Sequence, residues 1–231
     1  YTISDRGIMQ VSVDKLSKSF GKRLLFENLS HEFVPNEVNV ILGESGSGKT
    51  TLLNIIGLFE CADSGTVKYD GSPASGLSKT RTRKLIRSHV AYIYQDIRIF
   101  EDLTVDENLK LALKFSSIPK KAHESIIDSM LKRVGLDGFQ PRTSKELSGG
   151  EKQRVAIARA LISGKKLILA DEPTGALDEE NSRSVIHLIQ DINKSERCTI
   201  LMVTHSMLVA GEFAHRFWLR GGKLLKESDA L

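Results

Sequence analysis

The 231-residue sequence has little that would commit it to a membrane span, a redox cycle or a disulfide framework. Only two cysteines occur, Cys61 and Cys198, and their separation fits neither a metal-ligand nor a redox spacing. Both are expected to be structural thiols, as in a reducing cytosol. The longest apolar runs, such as Thr199–Thr204 around Ile200, Leu201, Met202 and Val203, fall far short of the roughly 18 residues that a bilayer span needs. Neither sign of charge dominates: 33 Lys and Arg against 29 Asp and Glu leave +4, too slight to imply nucleic-acid binding. No internal repeat, low-complexity tract or long heptad segment is visible, and no signal-peptide pattern opens the chain. Residues 1–8 precede the first methionine, Met9, and are read as an extension outside the fold.

What remains is globular in composition, with 40% apolar and 27% charged residues. Short β-like runs alternate with longer helical patterns, which predicts an α/β fold built on a mostly parallel sheet. Alternating Val11, Val13 and Leu16 start an edge region. The apolar run Val38–Leu42 reads as a core strand and Lys49–Ile56 as the helix after it. Further strands fit Thr66–Tyr69, Ala91–Tyr94, Lys166–Ala170, Thr199–Thr204 and Phe217–Arg220. Residues 96–165 turn helical: Thr104 and Glu107 are spaced as a capping box before Asn108–Phe115, and Ile126, Met130 and Val134 continue an apolar periodicity between Pro119 and Pro141. The sequence therefore divides into a core from 9–95 and 166–231 and a helical insertion from 96–165.

Gly43-Glu44-Ser45-Gly46-Ser47-Gly48-Lys49-Thr50, continuing into Thr51, follows an apolar strand and opens a helix, the context that a P-loop needs. Its glycines let the backbone bend into a nest of N–H groups at a helix N-terminus, a ready site for phosphate. Lys49 is then expected to reach the β and γ phosphates of ATP, and the Thr50 hydroxyl to hold Mg²⁺. A second run, Leu167–Ala170, ends abruptly in Asp171-Glu172-Pro173, and open α/β sheets bind ligands beyond the carboxyl ends of their strands. Asp171 is expected to hold Mg²⁺, and Glu172 to orient or deprotonate the water that attacks the γ-phosphate. Without the phosphate loop, two acids at a strand end would be ordinary surface groups.

Leu147-Ser148-Gly149-Gly150-Glu151 precedes the helical run Lys152–Leu161, with Ser148 and Glu151 again at capping-box spacing. A cap needs neither glycine, and bare backbone at a second helix N-terminus is a second anion site. Lying between the P-loop and Asp171-Glu172, this run resembles the signature motif of ABC ATPases. The resemblance covers Val11 to Leu225 and implies a core with an antiparallel β subdomain and a helical subdomain. It also implies roles for other positions. Phe20 would stack on adenine, Gln95 would contact metal and water, Asp178 would lie in the D-loop, and His205 would hold the γ-phosphate and Glu172 in register. In that family two cassettes join head to tail, so Ser148, Gly149, Gly150 and Glu151 of one copy, with Asp178, complete the site on the P-loop of the other. Each single residue also has a bland alternative: a lone histidine or glutamine is commonly just a satisfied polar group, and Phe20 alone would be core.

Glu172-Pro173-Thr174-Gly175-Ala176-Leu177-Asp178 resembles the stand-alone ATPases of bacterial transporters that extrude lipoproteins, macrolides, antimicrobial peptides or bacteriocins. That implies a separate integral membrane permease as partner, a second ATPase subunit, and a place on the cytoplasmic face of the membrane. Phe20, Phe59 and Ser206 depart from the family's common tyrosine and aspartates without removing a catalytic group. Cell-division ATPases of the same branch are the nearer alternative. Nucleic-acid machines are the other, but one P-loop and no long heptad insertion argue against them, and no nucleic-acid partner is expected. The intact Glu172 and His205 speak against a scaffold that binds ATP without turnover. Ile97, Ile99 and Phe100 fit either a permease-coupling surface or core. The basic cluster Lys79, Arg81, Arg83, Lys84 and Arg87 could meet anionic lipid or nucleic acid, but reads first as a solvated face.

Overall fold

The computed structural model describes residues 9–227 other than 115 and 117. The proposed extension at residues 1–8 and the last residue of the expected helix Asn108–Phe115 thus lie outside the described residues. In chain order, β1 (Val11–Phe20) and β2 (Arg23–Glu32) form a hairpin, and β3 (Val38–Leu42) leads into α1 (Lys49–Ile56). β4 (Ser64–Tyr69), β5 (Ser72–Pro73), α2 (Lys79–His89) and β6 (Val90–Ile93) follow, then the helices α3 (Val105–Leu113), α4 (His123–Arg133) and α5 (Gly149–Leu161). β7 (Leu167–Asp171), α6 (Glu179–Glu196), β8 (Thr199–Val203), α7 (Met207–Gly211), β9 (His215–Arg220) and β10 (Lys223–Lys226) complete the order.

Six strands form the main sheet in the order β10-β9-β3-β8-β7-β6, parallel throughout except for the β9-β10 hairpin. Every residue of β3, β7 and β8 is buried, as strands covered on both faces require. Their alternation splits the core in two. Val40, Ile168, Ala170 and Met202 face the helices α3 to α6, whereas Ile41, Leu169, Leu201 and Val203 face α1 and the second sheet. That second sheet is antiparallel, in the order β2-β1-β4-β5.

The predicted α/β class and the placement of β3 and α1 hold residue for residue. The other expected strand boundaries shift by one or two positions, because a ladder ends where its neighbour ends and not where apolar residues do, and α3 starts three residues before the expected Asn108. β6 runs Val90–Ile93 and not Ala91–Tyr94, and β7 runs Leu167–Asp171, taking in the first acid. Val11, Val13 and Leu16 do not form an edge: β1 is paired on both sides, with Val13 opposite His31 on β2 and Val67 on β4. Cys198 is buried, but Cys61 is exposed and packing does not hold it there.

Both predicted capping boxes are present. Thr104 and Glu107 close the N-terminus of α3 reciprocally, and Ser148 and Glu151 do so for α5. α5 therefore begins at Gly149, three residues before the expected start at Lys152, and both glycines lie in its first turn. Asn108 of α3 is wholly buried and ties together the loop that follows β6. Its side chain accepts from the Phe100 amide and donates to the Phe100 and Thr104 carbonyls and to Ser144 Oγ.

Candidate nucleotide site

β3 ends at Leu42 and α1 starts at Lys49, so the loop between them sits at the carboxyl edge of the main sheet. Gly46 and Gly48 have φ of 75° and 99°, a left-handed backbone open to glycine. A side chain would be crowded at both positions. A Cβ on Gly46 would come within 2.8 Å of the Arg23 guanidinium, and one on Gly48 within 3.3 Å of Leu25. The Lys49 ammonium is buried and donates to the carbonyls of Gly43 and Glu44 at 2.7 and 2.9 Å, so the loop closes on its own cation. Ser47 Oγ is buried without a hydrogen-bond partner. An orphaned hydroxyl, a lysine held only by carbonyls and a helix N-terminus together make an anion cradle that fits a triphosphate.

β7 delivers the acids to the same edge. Thr50 Oγ1 donates to Asp171 Oδ1 at 3.0 Å, and the Tyr92 hydroxyl lies 3.4 Å from Oδ2. Burial raises the Asp171 carboxyl above the usual carboxylate range, the Thr50 hydroxyl opposes the shift, and the Glu172 charge adds to it. A carboxylate so placed favours a nearby cation. Glu172 has φ of 45°, a left-handed conformation costing a branched or long residue about 1 kcal/mol or more. That turn aims its carboxylate at the strand end of β8, where Thr204 Oγ1 donates to Oε2 at 3.0 Å and His205 Nδ1 lies 2.7 Å from Oε1. The Glu172 side chain is 11% exposed and that of His205 72%, so the pair runs from the protein interior to solvent.

Phe20, Ser45, Gly46, Gly48, Lys49, Thr50, Thr51, Gln95, Asp171, Glu172 and His205 line one cleft of about 640 Å³. Gly43, Glu44 and Ser47 lie beside it along the loop. Phe20 is 52% exposed, with Lys18 Nζ 4.8 Å from its ring centre, so it is not core. Ser148 to Glu151 and Asp178 do not line this cleft, but the two groups meet each other. Asp178 caps α6 by accepting from the Asn181 amide, and a Cβ on Gly150 would strike Asn181 Oδ1 at 2.7 Å. Gly149 faces open space. Ile99 packs on the core beside α3 to α6, whereas Phe100 is 57% exposed, so the two alternatives for this run divide between its residues. Among the described residues, no group of three His, Cys, Asp or Glu gathers to hold a metal alone.

Besides Tyr92, four neighbours escaped the sequence. Arg23 donates to the Gly46 carbonyl at 2.7 Å across the P-loop, and Leu25 lies under Gly48. Gln153 Nε2 donates to the Pro173 carbonyl, fixing α5 to the turn after Glu172, and Thr204 orients Glu172. Only Thr204, adjacent to His205, carried a usable signal.

A parallel sheet whose edge presents a phosphate cradle, a buried acid beside it and a second acid held by a histidine defines a P-loop ATPase. The chain belongs to the ABC transporter family, whose model matches residues 26–175. It is 34% identical over 222 residues to the macrolide export ATP-binding/permease protein MacB of Escherichia coli, covering 94% of this chain. The corresponding protein of Mannheimia succiniciproducens is 35% identical over 226 residues. The chain spans about a third of the length of these relatives, 34% in each case. Among solved structures it is similar to the ATP-binding cassette MJ0796, a dimer in a post-hydrolysis state bound to ADP and Pi. That likeness has a TM-score of 0.83 and 30% identity, over 94% of this chain and 97% of that one. CbiO1 of Clostridium perfringens, part of the transporter complex cbiONQ, gives a TM-score of 0.85 at 26% identity, over 93% and 86% of the two chains. No helix among the described residues is long and apolar enough to cross a membrane.

Proposed function

We propose that this chain is the ATP-hydrolysing cassette of a bacterial exporter, driving an integral membrane permease for a peptide, lipoprotein, bacteriocin or drug from the cytoplasmic face of the membrane. The likeness to MacB, named for macrolide export, supports the direction. The observation that carries hydrolysis is the single cleft in which Lys49, Thr50, Asp171, Glu172 and His205 converge.

On this reading Lys49 exchanges its two carbonyl partners for the β and γ phosphates, Ser47 gains the partner it lacks, and Phe20 stacks on adenine. Thr50, Asp171 and Gln95 would hold Mg²⁺, which would supply positive charge to offset the negative charge of the phosphates. Glu172 accepts a proton from the attacking water, whose oxygen bonds to the γ-phosphorus as the bond to the β–γ bridging oxygen breaks, leaving ADP and phosphate. Thr204 and His205 hold the carboxylate of Glu172 from both sides, leaving it little freedom to turn away from the water. Ser148 to Glu151, absent from this cleft but open at Gly149, would cap the γ-phosphate of a second copy, with Asp178 alongside. The dimeric form of MJ0796 supports that arrangement.

Glu172→Gln is expected to keep ATP affinity while turnover falls about 10²-fold or more, because loss of a general base typically costs that much. Phosphate-release kinetics beside equilibrium binding of ATP measure both. Normal turnover in the variant would overturn the catalytic assignment.

A further inference from the structure

The basic cluster read from the sequence is a helix, and its build is unusual for one that only meets water. α2 runs KTRTRKLIRSH with no acidic residue and no fully buried residue. Taking Lys79, Arg81, Arg83, Lys84 and Arg87 out of the count leaves 28 basic against 29 acidic residues in the rest of the chain. The whole positive excess of the sequence therefore sits on this one helix.

Helical spacing gathers these charges on the outer side. Lys79, Arg83 and Arg87 follow each other at four-residue steps, with Lys84 and Arg81 next around the helix, while Thr82, Leu85, Ile86 and His89 turn inward and are half-buried. Leu85 and Ile86 pack against the core beside α1. Like charges at three- and four-residue spacing repel, and cations in the first turn oppose the helix dipole. For the first four cations neither cost is relieved locally: Ser78 makes no side-chain cap, and Lys79, Arg81, Arg83 and Lys84 form no ion pair among the described residues. The charge repulsion is what an external anionic surface would remove. A cleft of about 430 Å³ beside this face has a largely apolar floor including Pro73, Leu77 and Leu85, with Arg81, Lys84 and Ser88 among its polar lining, cations and a hydroxyl of the kind that bind a phosphate group.

We propose that the outer face of α2 docks on the anionic phospholipid headgroups of the bilayer in which the permease lies. The choice of lipid rests on the transporter reading above, which sets the chain beside a membrane. Juxtamembrane cations attract an anionic leaflet roughly in proportion to their number. The half-buried Leu85 and Ile86 anchor the helix to its own core, so it lies on the headgroups without inserting. α2 joins β6 at the N-terminal end of that strand, whereas the nucleotide cleft lies at the other end of the sheet. Lipid contact therefore leaves the ATP site open.

The test is flotation of the full chain with vesicles of phosphatidylcholine alone or with a third phosphatidylglycerol, beside the variant Lys79→Gln, Arg81→Gln, Arg83→Gln, Lys84→Gln. The wild type is expected to float with the anionic vesicles only, to release as salt rises, and to partition on the order of 10²-fold more strongly than the variant. Circular dichroism and basal ATP turnover should match between the two, since none of the four lines the nucleotide cleft. Equal partitioning of the two proteins, or no flotation of the wild type at low salt, would overturn the inference. With the transporter reading intact, the variant would still copurify with a membrane protein from its own cells. Preferential binding of DNA or RNA over anionic vesicles, together with loss of that copurification, would overturn the transporter reading itself.

Discussion

Lys49 and His31 show how one side chain can be judged by the partners it has and lacks. The Lys49 ammonium donates to two loop carbonyls and makes no ion pair among the described residues, so Lys49→Ala should leave the fold in place and weaken ATP binding at least tenfold. Titration calorimetry checks this, and unchanged affinity would count against the phosphate-loop role. His31 is packed edge-on against Phe33 and Phe217, and its Nε2 is buried without a partner. Burial, with Lys226 nearby, pushes its imidazole from 6.5 down to about 4. Its folded value is depressed, so the unfolded chain takes up the proton first as pH falls. The stability that neutral His31 supports is complete above about 6.5 and is lost progressively toward about 4. Tm should fall through that window, and His31→Phe should flatten the fall. Among single residues, those carrying motifs were legible in the sequence because the chemistry demands their type. Tyr92 was not, since it reaches Asp171 through strand register, which no spacing along the chain encodes, and Thr204 was marked only by its place beside His205.

The two glycines at the start of α5 are asymmetric, and this separates packing from function. A Cβ on Gly150 would meet Asn181, whose side chain also donates to Asp178, so Gly150→Ala should lower stability by about 1 kcal/mol or more. Gly149 faces open space, so Gly149→Ala should leave Tm unchanged or slightly raised while ATP turnover falls. Thermal melts beside turnover separate the two, and undiminished turnover in Gly149→Ala would remove the reason for a bare backbone there. Helices with caps at both sequence and structure level, α3 and α5, were visible in advance because Ser or Thr followed three residues on by Glu is a local code. α2 and α6 were not singled out as helices. α2 has too few apolar residues to show a period, and α6 places Val185, Ile186, Ile189 and Ile192 only after a charged first turn. The internal position of β1 also escaped, because its second partner, β4, lies some fifty residues away and pairing of that range leaves no mark on the strand itself.

On the proposed reading, the molecule as a whole presents half of a catalytic arrangement on each of two surfaces. The cleft at the carboxyl edge of the main sheet holds the phosphate loop, both acids and His205, while the capped, open N-terminus of α5 stands apart from it. The α/β class and the position of the cleft followed from alternation and from two motifs at strand ends. The relation between the two surfaces followed only from a family resemblance, since no residue pattern within one chain records contact with another. The central claim is that ATP joins these surfaces across two copies. Sedimentation velocity of Glu172→Gln with and without ATP, beside the same variant carrying Ser148→Arg, tests it most directly. The account predicts that ATP converts Glu172→Gln from monomer to dimer and that the added Ser148→Arg keeps it monomeric while ATP still binds. A Glu172→Gln protein that binds ATP and stays monomeric, or a dimer indifferent to Ser148→Arg, would contradict it.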